Sequence, residues 1–247
     1  NTRVSNHSVG ANADAHIIGP KFGSSAIAFD GDEDFLSIAD HADWNFGTGS
    51  FTVDFWANQI SAWEDDAFLW AQVADTNNFA GVRIRTNGEV TLMARVSGSY
   101  TINLDFDTVT MPVDEWFHFA LVRNTSGTNR FEIYINGTLQ QTINNTTAWP
   151  DIAGAFTIGD DFYNADKEFT GYMDEFRVSK GVARYTANFT PATAAYSSDS
   201  NTKLLIHSNT TMGSTTFTDS GATTHTVTAS GNVKHVAPKI GTGMGAF

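Results

Sequence analysis

Four acidic residues lie close together at a glycine-containing turn near the start of the chain. They are Asp30, Asp32, Glu33 and Asp34, and Gly31 separates the first two. Calcium takes about six to eight oxygen ligands, and carboxylates supply them well. The spacing differs from that of an EF-hand loop, so the cluster predicts only part of a calcium shell. The alternative is that these side chains cap and solvate the turn, a common role of aspartate.

Two tryptophans in predicted loops lie beside acidic side chains. Trp63 precedes Glu64 and Asp65, and Trp149 lies two residues before Asp151. A pyranose stacks its C–H face on such a ring while carboxylates accept hydrogen bonds from its hydroxyls. These five residues are the predicted glycan contacts, and the alternative is that both rings pack within their loops. The other tryptophans are predicted to belong to the core: Trp44, Trp56, Trp70 and Trp116.

The acidic residues do not suggest a catalytic pair. A glycoside hydrolase needs two carboxyl groups that face one sugar, but Asp174 and Glu175 are neighbours in a predicted strand and should point to opposite faces. His118 lies between two phenylalanines in mid-strand, which is typical of a core histidine rather than a general base. No G-x-S-x-G, H-E-x-x-H or phosphate-loop motif occurs. We therefore expect no enzyme activity.

Charge and composition exclude several other functions. The chain has 27 acidic and 14 basic residues and a formal net charge of −13, which repels phosphate backbones and argues against a nucleic-acid partner. Cysteine is absent, so disulfides, thiolate catalysis and cysteine-ligated zinc are excluded. No apolar run approaches the about 18 residues of a membrane helix, and we expect no membrane insertion.

Apolar and polar residues alternate with a period of two along most of the chain, which predicts β-strands. Asn-Gly pairs at 87–88 and 136–137 are signals for tight hairpin turns. Many short strands separated by turns, without helical periodicity, predict an all-β antiparallel β-sandwich. On two of these strands the predicted inward-facing residues are Phe51, Val53, Phe55, Phe117, Phe119 and Leu121.

The last 29 residues repeat the first 29 without a gap. Pro-Lys-Phe-Gly at 20–23 reappears as Pro-Lys-Ile-Gly at 238–241, an offset of 218, and eight of the 29 aligned positions are identical. Average composition would give about two identities. We therefore predict a tandem array. Residues 1–202 would form one domain, with a linker after Val182, and residues 203–247 would be the opening strands of a following repeat or a strand that completes the same sandwich.

Six short motifs follow one another between residues 22 and 185. They are Ala-Phe-Asp-Gly at 28–31, Asp-Phe-Leu-Ser-Ile at 34–38, Phe-Thr-Val-Asp-Phe-Trp at 51–56, Trp-x-His-x-Ala-x-x-Arg at 116–123, Tyr-Ile-Asn-Gly at 134–137, and the strand at 171–179. This ordered set resembles laminin G-like domains of the concanavalin A-like lectin/glucanase superfamily. The stretch 183–207 also resembles segments that join such modules in bacteriophage virion proteins. The resemblance implies a jelly roll of two curved sheets.

The resemblance also implies a ligand set for the calcium. In concanavalin A-like domains a structural calcium often ties the early turn to an acidic residue on the closing strand. The implied ligands here are Asp30, Asp32, Asp34, a main-chain carbonyl near Gly31, and Asp174. Laminarinase-like enzymes of this fold need two glutamates flanking an aspartate on one strand, an arrangement that this sequence lacks.

These observations together predict a non-catalytic adhesion module on an extracellular or virion surface. Its expected partners are a glycan or cell-surface polysaccharide and neighbouring copies of the same module, with calcium holding loops in place. One alternative is a purely structural fibre or capsid decoration module that binds only its neighbours. A second is a polysaccharide-degrading enzyme of the same fold.

Overall fold

The computed structural model describes residues 19–59, 67–85, 87–109, 111–160, 162 and 168–237. These residues form antiparallel strands and one short 3-10 helix, η1 (Ala42–Trp44). The strands are β1 (Ala26–Asp30), β2 (Phe35–Ile38), β3 (Phe51–Gln59), β4 (Ala67–Asp75), β5 (Asn78–Ile84), β6 (Val90–Val96), β7 (Ser99–Phe106), β8 (Phe117–Asn124), β9 (Arg130–Ile135), β10 (Thr138–Asn144), β11 (Ala155–Ile158), β12 (Thr170–Lys180), β13 (Thr202–Ile206), β14 (Phe217–Thr218), β15 (Thr226–Ser230) and β16 (Lys234–Val236).

The strands form two sheets of eight. In sheet A the order is β10-β9-β8-β3-β12-β1-β16, and β13 pairs with the other half of β12. In sheet B the order is β14-β15-β2-β11-β4-β5-β6-β7. The predicted all-β antiparallel sandwich is confirmed. The described part of the chain contains no helix with the length and apolar character of a membrane span.

The core between the sheets is built from the residues that alternate inward. All six of the predicted core residues on β3 and β8 are fully buried. Phe55 stacks on Phe119 and on Phe176, with 5.1 Å between ring centroids in both pairs. The side chains of the opposite parity on these strands point to the outer face of sheet A. The period-two pattern therefore assigned the faces of β3 and β8 correctly.

The predicted Asn-Gly hairpin between β9 and β10 is confirmed. Asn136 and Gly137 both have positive φ, 51° and 76°, as the tight turn requires. A Cβ on Gly137 would overlap the main-chain oxygen of Phe189. Glycine at this position therefore permits both the turn and the close approach of a neighbouring segment.

That neighbouring segment covers the outer face of sheet A, and the prediction of a linker after Val182 was wrong. In residues 183–196, here called the covering segment, Tyr185 and Phe189 stack on each other at 3.7 Å and pack against Tyr134. Tyr196 packs against Trp56. The segment lacks period-two alternation because it packs as a layer over the sheet and not as one of its strands.

The strands beyond residue 202 pair with strands of both sheets. β13 pairs with β12, β15 pairs with β2, and β16 pairs with β1. The second copy of the sequence repeat thus supplies β15 and β16. In the described chain this segment therefore adds strands to the same sandwich that β1–β12 form, which is the second of the two predicted alternatives.

Candidate functional site

The carboxylates near the first turn bind main-chain and amide groups of the C-terminal segment. Asp34 is buried, and its Oδ2 accepts from the Asp30 N–H at 2.8 Å while its Oδ1 accepts from the Asn232 N–H at 2.6 Å. The Asn232 side-chain amide donates to Asp30 at 2.6 Å and so lowers the pKa of Asp30. Burial raises the pKa of Asp34. These contacts fasten the β1–β2 turn to the β15–β16 turn.

Asp174 lies away from this cluster. The ladder between β1 and β12 pairs Asp30 with Thr170, and Asp174 lies four positions further along the strand than Thr170, about 13 Å away. Asp174 accepts hydrogen bonds from the main-chain N–H groups of Phe22 and Glu175, at 3.0 and 2.9 Å. Burial raises its pKa to about 8.

The ligand set predicted for calcium is therefore not assembled. The oxygens of Asp34 and Asp174 accept main-chain hydrogen bonds in two separate places. Asp32 is exposed. The resemblance implied that Asp174 lies at this turn, whereas the pairing of β1 with β12 places Thr170 opposite Asp30. Calcium binding itself stays a prediction.

The prediction of a sugar contact at Trp149 was wrong. Its side chain is 1% exposed, and the ring lies 5.5 Å from Phe51 and 5.6 Å from Trp70 in the core. A buried ring offers no face to a sugar, so the alternative of packing holds. Asp151 is exposed and accepts a hydrogen bond from Asn45 at 2.9 Å. The predicted contacts Trp63, Glu64 and Asp65 lie outside the described residues.

A buried polar network joins the covering segment to sheet A. Arg177 donates to both carboxylate oxygens of Asp54, at 3.0 and 2.7 Å, and the Tyr185 hydroxyl donates to the same carboxylate at 2.8 Å. His118 shares a hydrogen bond of 2.7 Å with the Tyr196 hydroxyl. Burial alone would raise the pKa of Asp54, but the charge and hydrogen bonds of Arg177, with His118, hold it well below its usual range.

This network holds the fold together and offers no reacting group to a substrate. Asp54 and His118 are fully buried. His118 is buried as predicted, but it lies under the covering segment on the outer face of sheet A and not between the two sheets, and its ring contacts the side chains of Tyr196 and Asp54. Asp174 and Glu175 are also buried, at a bulge where Glu175 has a φ of 55°. A sugar has no direct access to these carboxyl groups.

An aromatic groove lies on the outer face of sheet A, beside the covering segment. Its volume is about 500 Å³. The Lys21 ammonium lies 3.6 Å from the centre of the Trp56 ring, and Phe22 meets that ring edge-on at 5.9 Å. Trp116 is half-buried and donates from Nε1 to the main-chain oxygen of Gly19 at 2.6 Å. The remaining lining residues are Asn136, Pro191, Ala192 and Thr193.

The sequence prediction missed this groove because it assigned Trp56 and Trp116 to the core. Trp56 is 5% exposed, but it lies on the face opposite to Phe55. Cross-strand pairing places it beside His118, two residues from Trp116. The sequence did contain a sign of this position, because in the period-two alternation both tryptophans fall on the face opposite to the inward-facing phenylalanines. Trp44 and Trp70, by contrast, are fully buried core residues as predicted.

Comparison with solved structures shows the same fold in other proteins. A proposed carbohydrate-binding protein from Bacteroides ovatus is 17% identical, with a TM-score of 0.60, over 88% of this chain and 61% of that protein. Domain 4 of an extracellular arabinanase from Geobacillus stearothermophilus, solved with arabinotriose, is 18% identical, with a TM-score of 0.50, over 64% of this chain and 71% of that one. At these identities the likeness is one of fold.

Sequence comparison gives the family. No curated protein is significantly similar to the chain in sequence. A family model described as the concanavalin A-like lectin/glucanases superfamily matches residues 30–187, which is more than half of the 247 residues. The order of motifs that resembled laminin G-like domains falls largely within this match. The chain therefore belongs to the laminin G-like family of the concanavalin A-like lectin/glucanase superfamily.

Proposed function

We propose that the chain is a non-catalytic glycan-binding module that acts outside the cell and contacts sugar through the aromatic groove. The observation that carries this proposal is an open groove in which Phe22 and the half-buried ring of Trp116 lie beside Lys21, with the buried Trp56 ring beneath the lysine. Aromatic rings with a few polar groups at a surface depression are what sugar recognition requires.

The groove offers an aromatic surface to the apolar C–H groups of a sugar and hydrogen-bond donors to its oxygens. The C–H face of a pyranose or furanose stacks on the half-buried ring of Trp116. The Lys21 ammonium donates hydrogen bonds to ring or hydroxyl oxygens, as does the amide of Asn136. Burial lowers the pKa of Lys21, because the ammonium lies against apolar rings rather than in open water.

Two further observations support binding without catalysis. The two solved structures of the same fold are a proposed carbohydrate-binding protein and a domain in complex with arabinotriose. In this chain the paired carboxyl groups of the closing strand, Asp174 and Glu175, are buried. A retaining or inverting hydrolase would present two such groups to the substrate.

A structural module of a fibre or capsid surface is the second candidate. The sequence repeat at an offset of 218 residues supports an array in which neighbouring copies contact one another. A virion surface would be one place for either kind of module. Such a module would bind its neighbours and no sugar.

A glycan array with the purified chain separates the candidates. We expect reproducible binding to a restricted set of glycans, lost in Trp116→Ala and retained in Tyr100→Ala, an exposed aromatic on β7 that serves as the matched control. Trp63→Ala on the same array tests the contact predicted from sequence. A blank array for the folded wild-type chain would favour the structural candidate, and release of reducing sugar from glucans would favour an enzyme.

A further inference from the structure

Three metal-ligating side chains from distant parts of the chain meet beside the β2–β15 pair. His41 and Asp43 belong to the η1 turn, and His225 immediately precedes β15. Oδ2 of Asp43 lies 3.2 Å from Nδ1 of His41 and 3.2 Å from Nε2 of His225. The three atoms lie within 4.8 Å of one another, and no other group of three or more such side chains in the described residues is as close.

We propose that His41, Asp43 and His225 bind a divalent transition-metal ion of the zinc type. Two imidazole nitrogens and one carboxylate oxygen are ligands that suit zinc, at about 2.0–2.2 Å from the ion. Atoms at that distance in a tetrahedral shell lie about 3.3 Å apart, close to the two 3.2 Å separations observed. Three protein ligands leave a fourth position for water or for a ligand atom from another molecule.

Two of the three ligands are already held in position. The main-chain N–H of His225 donates to Asp219 at 2.9 Å, and its ring lies 4.8 Å from the Trp44 ring. The side chains of His225 and Asp43 are only 7% and 14% exposed, whereas that of His41 is 45% exposed. An ion therefore has a solvent-facing entry on the His41 side and a fixed pair of ligands behind it.

The position of His41 Nδ1 favours a cation between these groups. This nitrogen accepts a hydrogen bond from the Asp43 main-chain N–H at 3.1 Å, so it presents a lone pair, yet it also faces the Asp43 carboxylate at 3.2 Å. A lone pair and a carboxylate repel each other at that distance. A cation bound by His41 Nδ1 and by the Asp43 carboxylate would remove this repulsion. It would take the place of the Asp43 main-chain N–H at the His41 lone pair.

The sequence repeat preserves one of these ligands. At the offset of 218, His225 corresponds to His7, one of eight identities among 29 aligned positions. The other two ligands lie within the family match at 30–187, whereas His225 lies beyond it. A bound ion would therefore join the C-terminal segment to the part of the sandwich that matches the family, as a link additional to the strand pairing of β15 with β2.

The test is a zinc titration of the metal-free chain, followed by calorimetry and by thermal melting. We expect one zinc per chain and a rise in melting temperature, since an ion bound only by the folded state stabilises it. Calcium in excess should not displace zinc from this cluster, because calcium prefers oxygen ligands. His41→Ala should weaken zinc binding by at least the about 10–100-fold that loss of an outer-shell partner costs, and so should His225→Ala.

His207→Ala is the matched control, because His207 contacts a carboxylate, that of Glu175 at 2.9 Å, outside this cluster. It should leave zinc affinity at the wild-type value. His41 is the more exposed ligand, so His41→Ala should have the metal-free melting temperature of the wild type. His225→Ala also removes a ring that contacts Trp44, and a lower metal-free melting temperature of that variant would reflect the lost contact. The proposal is overturned if zinc fails to bind with one-to-one stoichiometry, if His41→Ala binds it as the wild type does, or if His207→Ala loses as much.

Discussion

Arg177 on β12 and Asp54 on β3 are direct cross-strand neighbours joined by two parallel hydrogen bonds, from Nε to Oδ1 at 3.0 Å and from Nη2 to Oδ2 at 2.7 Å. Both side chains are almost fully buried beneath the covering segment. The pair fixes the register of the two central strands of sheet A. It also anchors Tyr185, whose hydroxyl binds the same carboxylate.

Breaking this pair on one side should strongly destabilise the protein. Arg177→Met leaves the Asp54 carboxylate buried without its cation, and we expect a loss of about 3–5 kcal/mol in the free energy of unfolding. Arg85→Met, which removes an exposed pair with Glu89, should cost less than about 1 kcal/mol. Urea denaturation measures both, and equal losses would contradict the importance of the buried pair.

Truncation of a side chain at the centre of the core between the two sheets should destabilise the protein by a similar amount. Phe55→Ala removes a ring that stacks on Phe119 and Phe176, and we expect it to cost about 3–5 kcal/mol. Leu139 is 37% exposed at the sheet edge, so Leu139→Ala should change stability by about 0.5 kcal/mol or less. A loss below about 1 kcal/mol for Phe55→Ala would mean that β3 turns its other face inward.

Stability should fall as the pH rises through the neutral range. Burial raises the pKa of Asp174 to about 8, against about 3.9 in an unfolded chain. The folded state therefore holds a proton that the unfolded state releases. This contribution is complete below about pH 4 and is lost as the pH approaches 8. The pKa of His207 is raised by its hydrogen bond with Glu175, which acts in the same direction.

The Asp174→Asn variant isolates this effect. Its melting temperature should decline less between pH 4 and 8 than that of the wild type, because the titrating group is gone. The quantity to compare is the slope of melting temperature against pH. The absolute melting temperature is not comparable, because the amide also changes the hydrogen bonds with the main-chain N–H groups of Phe22 and Glu175. Parallel slopes would show that Asp174 is already ionised in the folded state at pH 4.

The C-terminal segment should be needed for a stable monomer. Deleting residues 203–247 removes strands that pair with β12, β2 and β1 and leaves unpaired sheet edges, which tend to aggregate. We expect a lower melting temperature or association in size-exclusion chromatography. Removal of residues 238–247 alone, beyond β16, is the control. A monomer with unaltered melting after the longer deletion would contradict this role.

The faces of the strands followed from the sequence, but the pairing between distant segments did not. Alternation places Phe55 and Phe119 inside because side chains on a strand point in opposite directions in turn. It carries no information about which residues of β12 lie opposite β1. The family resemblance placed Asp174 at the Asp30 turn, whereas the register pairs Asp30 with Thr170.

The candidate site was only partly accessible to sequence reasoning for the same reason. Trp149 appeared to lie in a polar loop, but an isolated bridge to Gly47 brings it over the core. Trp56 and Trp116 appeared to be ordinary strand residues, and they border an open groove because the covering segment leaves that end of the sheet partly uncovered. The meeting of His41 with His225 depends on contacts across more than 180 residues.

The most direct test of the proposed function is a calorimetric titration of the best glycan from the array against three proteins. We expect that the wild type binds, that Trp116→Ala loses at least about tenfold in affinity through the lost stacking, and that Tyr100→Ala binds as the wild type does. Equal affinity of the wild type and the folded Trp116→Ala variant would contradict the assignment of the groove as the glycan-binding surface.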